Sequence, residues 1–165
     1  VCEELTQDIS GDILFFLDIP LDYEEDPEIV SSDDFIFKKY SDHAVVETCK
    51  SCSDTVSIPS EIDGVKVTEI GDHAFNKHSY LENIIIPDTV TRIGGWAFAK
   101  TSLRSIYIPD GVKIIETHAF ENCEYLEEIS GAVNVESLGE APFNNTPWLE
   151  EQKKQNCFVT CMSWS

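Results

Sequence analysis

Four phenylalanines at one spacing constrain this chain more than any other feature. Phe75, Phe98, Phe120 and Phe143 follow one another at steps of 23, 22 and 23 residues. Five residues before each stands Ile70, Ile93, Ile115 or Leu138, and after each comes Leu81, Leu103, Leu126 or Leu149. The Phe-to-Leu gap is six residues in three copies and five in the second, so one deletion falls near Thr101. Apolar runs ending in Ile-Pro recur with the same period: VSIP at 56–59, IIIP at 84–87 and IYIP at 106–109. The next run, EEISGA at 127–132, lacks the proline. Self-similarity at such a period predicts a solenoid. One coil of about 23 residues cannot bury its apolar side alone, and stacking buries Ile under Ile and Phe under Phe.

Strands of neighbouring coils then run parallel, about 4.8 Å apart. Within LENIII, alternation turns Leu81, Ile84 and Ile86 inward and leaves Asn83 and Ile85 outward. A second wall is predicted from VTEI at 67–70, VTRI at 90–93, VKII at 112–115 and VESL at 135–138. Gly71, Gly94 and Gly139, each following the wall's last apolar residue, suit tight corners. The proline after each apolar run stops the strand.

The pattern L-x-x-I-x-I-P-x-x-V-x-x-I-G-x-x-A-F resembles the BspA-like class of leucine-rich repeats over about residues 54–150. IPSEIDGVKVTEIGDHAF at 58–75 resembles a first repeat with its insertion at EIDG, and NNTPWLEEQKK at 144–154 resembles the close of such a block. The resemblance implies a β-rich solenoid of repeats of about 23 residues, with parallel strand ladders and a cap at each end. It also implies a secreted or surface-anchored module of anaerobic bacteria or some protists, engaged in adhesion to host proteins, other cells or extracellular material.

The organisation that follows is an acidic N-terminal extension at 1–34, a cap hairpin at 35–57, the solenoid at 58–150 and a C-terminal cap or tail at 151–165. Caps are needed because an open coil exposes apolar side chains and strand edges. FIFKKYSDHAVVETC reads as strand, turn, strand, while Trp148 and the CFVTCMSWS tail are expected to cover the last coil. The chain begins at Val1 without a basic segment leading an apolar stretch, and reads as a piece of something longer.

Charge narrows the partners. The net charge is −20, and residues 1–37 hold twelve acids and no Lys or Arg. Such a chain repels nucleic acid and anionic lipid, and no apolar run is long enough to span a bilayer. The Asp22–Glu28 run reads as solvated linker, since the alternating acids, central Gly and terminal Glu of a calcium loop are missing. ILFFLDI at 13–19 is apolar enough to pack on the main body as a strand or short helix.

The chemistry-bearing residues point away from catalysis. No nucleophile elbow, phosphate loop or H-E-x-x-H is present, so no enzyme activity and no cofactor is implied. Cys49–Cys52 and Cys157–Cys161 would supply four thiolates, but they stand at opposite ends of the expected stack and no shared zinc is expected. Cys49 and Cys52 close as a disulfide or remain a free pair. Cys123, three residues after its Phe, reads as a small core residue. His73, Trp96 and His118 share one repeat position and form an exposed corner stripe, a secondary contact surface; Trp96 stands between the histidines and keeps them from sharing an ion.

Repetition fixes the inward positions and frees the outward ones. One outward column is Ser57, Ile85, Tyr107 and Ser130, and its neighbour is Thr55, Asn83, Ser105 and Glu128. Ile85 beside Tyr107 makes an apolar and aromatic centre with polar flanks, which suits a protein interface. The function expected is a non-catalytic binding or adhesion module whose partner is an extracellular or host protein. Polysaccharide, stacked on Trp96, Tyr107 or Tyr80, is the alternative, and a structural spacer is the third reading.

Overall fold

A computed structural model describes residues 26–155. The expected packing of residues 13–19 and of the CFVTCMSWS tail lies outside them. β1 (Glu28–Ser31), β2 (Phe35–Lys39) and β3 (Ala44–Cys49) form an antiparallel meander. The expected hairpin is thus joined by a strand from within the acidic segment. β3 then pairs in parallel with β6 (Val65–Ile70), and β8 (Arg92–Ile93), β10 (Ile114–Ile115) and β12 (Ser137–Leu138) extend the sheet in parallel. The four runs predicted as the second wall end in these strands. Across the core lie β4 (Thr55–Ser57) paired with β7 (Asn83–Ile85), and β9 (Ser105–Ile108) paired with β11 (Glu128–Gly131). The Arg104 N–H donates to the Glu82 carbonyl at 3.4 Å and links the two pairs. β5 (Glu61–Ile62) folds back on β6 through Asp63 and Gly64, both with positive φ (49° and 77°). Asp-Gly with both residues left-handed is a favoured two-residue hairpin turn.

The third wall consists of turns, and it is hydrogen-bonded from coil to coil. The Phe75 N–H donates to Ala97 O at 2.7 Å, Phe98 to Ala119 at 2.8 Å and Phe120 to Pro142 at 2.7 Å. Flanking rungs run from His73 to Gly95, Trp96 to Thr117 and His118 to Glu140, and from Lys77 to Ala99, Lys100 to Glu121 and Asn122 to Asn144. The donors of these outer rungs are all left-handed, His73, Trp96 and His118 in one column and Lys77, Lys100 and Asn122 in the other, and Ala141 and Asn145 continue the two columns in the last coil. Each costs about 1–2 kcal/mol for a side chain with a Cβ, and the inter-coil bonds hold the six donors there.

Inside, the four phenylalanine rings stack face to face. Phe75–Phe98, Phe98–Phe120 and Phe120–Phe143 have centroids 5.1, 5.2 and 5.3 Å apart with planes within 15°. Each end of this column closes with a ring set edge-on: Phe35 of β2 against Phe75 at 6.2 Å, and Trp148 against Phe143 at 5.0 Å. Ile70, Ile93 and Ile115, together with Leu81, Leu103 and Leu126, are fully buried alongside.

The corner glycines Gly94 and Gly139 serve close approach rather than a left-handed turn. A Cβ on Gly94 would come 2.7 Å from the backbone of Gly71 and Asp72, and one on Gly139 2.1 Å from Thr117 N, so close stacking demands the glycine. Leu149, after the fourth phenylalanine, lies in helix α1 (Pro147–Gln155), which continues past residue 150. Proline suits the first helical position, and the Thr146 hydroxyl caps the helix by accepting from the Leu149 N–H at 3.2 Å.

On the outer face of the long sheet, Arg92 bonds Glu69 and Asp72 at 3.2 Å each and Glu116 at 3.4 Å, tying three coils together. Burial disfavours its charge, but the three carboxylates outweigh that and raise the guanidinium above its ordinary value. A raised pKa keeps this contribution fully present below the ordinary arginine range, so Arg92 stays charged at every working pH.

Phe98→Ala is expected to cost about 3–5 kcal/mol in urea unfolding, whereas Lys100→Gly, which relieves a left-handed backbone under an exposed side chain, should gain up to about 1 kcal/mol. Arg92→Met should cost about 1 kcal/mol at pH 7 by leaving three carboxylates facing one another. That deficit should shrink towards low pH, where carboxylates take up protons, and a pH series of denaturation midpoints reads it directly.

Candidate interaction surface

The outward strand face is built by period-two alternation on two short parallel pairs. Ser57 registers with Ile85 and Thr55 with Asn83; Tyr107 registers with Ser130 and Ser105 with Glu128. All eight side chains are exposed while Val56, Ile84 and Ile106 between them are buried. With Arg104 bonded beside Glu82, Ile85 and Tyr107 fall on adjoining strands. They are 59% and 55% exposed, large values for apolar side chains of a sheet, and make the centre of the face. Asn83, Ser105, Ser57, Ser130 and Glu128 are its polar surround. In the last strand Gly131, at φ 77°, stands in register with Ile108, and Ala132 takes the place of the proline; a Cβ on Gly131 would collide with Ile108 O.

At the edge of this face, the Arg104 guanidinium lies 5.7 Å from the Tyr125 ring centroid and 3.6 Å from a Glu82 oxygen. Tyr125 also borders an open polar groove of about 690 Å³, with Ser79, Lys100, Ser102, Asn122 and Glu124 along it.

The corner stripe is a stack of three rings. His73 stacks on Trp96 at 5.3 Å with planes 9° apart, and His118 packs on it at 5.1 Å, tilted by 30°. Trp96 is only 37% exposed and has a ring against each face. The stripe therefore offers edges to a partner. Asn76 Nδ2 is 2.9 Å from His73 Nδ1. His118 Nδ1 lies 3.7 Å from a Glu121 oxygen, an ion-pair distance too long for a hydrogen bond.

Cys49 and Cys52 form a disulfide with Cα atoms 5.9 Å apart, so the bonded alternative is the one the structure takes. Cys157 and Cys161 lie outside the described residues. Cys123 is fully buried, its thiol 3.1 Å from Phe98 O. A residue passed over in the sequence reading, His78, sits next to the disulfide. Among the described residues no helix is long and apolar enough to cross a membrane.

The comparisons agree with this architecture. A family model for the BspA type leucine-rich repeat region matches residues 46–163 in six copies. No curated protein matches the chain significantly. Among solved structures, a leucine-rich repeat protein of Bacteroides capillosus is 25% identical with a TM-score of 0.66, covering 73% of this chain and 93% of its own. A leucine-rich cell surface protein of Faecalibacterium prausnitzii is 20% identical (TM-score 0.51), over 74% of this chain and 48% of its own. The pneumococcal vaccine antigen PcpA is 15% identical (TM-score 0.53), over the same 74% and 48%. This chain thus spans about half the length of the last two.

Proposed function

Since this chain belongs to the BspA type leucine-rich repeat family, we propose that it is a non-catalytic binding module working at a cell surface or outside the cell, with a protein as its partner. The observation that carries this reading is the paired exposure of Ile85 and Tyr107 at the centre of an otherwise polar sheet face. Their column is rigid because every neighbouring inward residue is locked in the core, so little order is lost on docking. An aromatic anchor with an apolar neighbour and a polar rim matches the composition of interface centres. One similar structure is of a cell surface protein, in keeping with a surface location. The net charge of −20 favours partners carrying basic patches and disfavours nucleic acid.

A second reading, carbohydrate binding, draws support from the polar groove bordered by Tyr125, whose exposed ring could stack on a sugar. Trp96 is a poorer stacking platform because a histidine ring lies against each face.

The test is retention of the purified chain on immobilised extracellular matrix and serum proteins, and in parallel on insoluble polysaccharide. Binding to a protein that Ile85→Ser/Tyr107→Ala weakens by about thirtyfold or more, the size of a hot-spot loss, supports the strand face. Protein binding that the double variant leaves intact overturns it. Retention only on polysaccharide, lost with Tyr125→Ala, replaces it with the carbohydrate reading.

A further inference from the structure

The column three residues after each ladder phenylalanine is filled by His78, Thr101, Cys123 and Thr146. In the last three coils this position is small and satisfied within the coil stack. The Thr101 and Thr146 hydroxyls donate to Phe98 O and Phe143 O at 2.9 and 2.8 Å, and the Cys123 thiol donates to Phe98 O at 3.1 Å. The first coil breaks the rule with a half-buried imidazole. Among the described residues, His78 Nδ1 is buried and has no hydrogen-bond partner. A buried polar atom left unpaired calls for an explanation, and a departure from an otherwise consistent repeat marks a functional position.

The neighbours of His78 supply that explanation. A ligand atom of His78 and the sulfurs of Cys49 and Cys52 all lie within 4.8 Å of one another. Tetrahedral zinc, with Zn–S near 2.3 Å and Zn–N near 2.0–2.1 Å, needs its ligand atoms roughly 3.5–3.8 Å apart. Separating the two sulfurs to that distance takes only side-chain movement. Cys49 is held by strand β3, with its N–H on Ala74 O at 3.2 Å, and the His78 N–H is bonded to Phe75 O at 3.2 Å, so the backbones are already set.

We propose that Cys49, Cys52 and His78 form a redox-gated site for a borderline-soft divalent cation such as Zn²⁺. The disulfide is the closed state. An external dithiol supplies two electrons and two protons, is itself oxidised to a disulfide, and leaves two thiols at Cys49 and Cys52. Cation binding then displaces those two protons, with two thiolates and one imidazole nitrogen as ligands and water completing the tetrahedron. Oxidation by a disulfide reverses the sequence: two electrons leave the thiolates, the S–S bond reforms and the cation is released. The module's N-terminal end thereby responds to the thiol balance around it, independently of the strand face.

The test uses cobalt(II), whose thiolate charge-transfer bands report sulfur ligation. The full chain carrying Cys2→Ser, Cys157→Ser and Cys161→Ser is reduced with a dithiol, freed of it anaerobically and titrated. Cys123 does not compete, because it is buried and burial pushes its thiol pKa up. One equivalent of cobalt with a charge-transfer band is expected for the reduced chain, and no such band for the disulfide form. His78→Ala, at a half-exposed position, should fold and weaken cobalt binding by at least about tenfold. Absence of the band in the reduced chain overturns the proposal, and so does an unchanged affinity in His78→Ala.

Discussion

Stacked phenylalanine rings set the pitch on which everything else depends. Their centroids, 5.1–5.3 Å apart, come close to the spacing of about 4.8 Å at which parallel strands exchange hydrogen bonds. One repeat distance therefore satisfies ring packing, two strand walls and the turn wall together. Ring contacts of this kind add about 0.5–1.5 kcal/mol each beyond the burial of their area. The column cannot end on an open ring face, and edge-on Phe35 and Trp148 close it with residues from outside the repeat.

That common pitch also explains why the chain tolerates eight left-handed residues with side chains in two columns. A single Trp96 at φ 51° would be an outlier. In the stack it donates to Thr117 O on the next coil and packs between two histidine rings. The strain repeats because the ladder over-determines it. The same rigidity fixes the outward columns, so that side chains can vary at Ile85, Tyr107 and their neighbours without disturbing the core.

The inward plan was legible from the sequence because it obeys a period: Phe75 to Phe143, the Ile ladder and the alternation of LENIII all lie where spacing puts them. The register of the outward columns followed from it, since Ser57 meets Ile85 and Tyr107 meets Ser130. What escaped detection breaks the period or depends on contacts between coils. Helix α1 begins where Thr146 and Pro147 give a cap and a helical first residue, signals that stand in the sequence beside a fourth Phe-to-Leu match that keeps the period. The glycines answer to neighbouring backbone that no local pattern reveals. Trp96 is exposed as its repeat position implies, but its stacking partners lie one coil away on each side and no local pattern shows them. His78 could have been found by aligning the position three after each Phe, where one histidine stands among two threonines and a cysteine.

Native-state amide hydrogen exchange tests most directly whether the turn wall is a structural ladder equal to the strands. The Phe75, Phe98 and Phe120 amides, bonded from coil to coil at 2.7–2.8 Å, should exchange only through global unfolding and match the free energy from denaturant. Exchange of these amides through local openings, several kcal/mol easier than that of the sheet amides, would contradict the account.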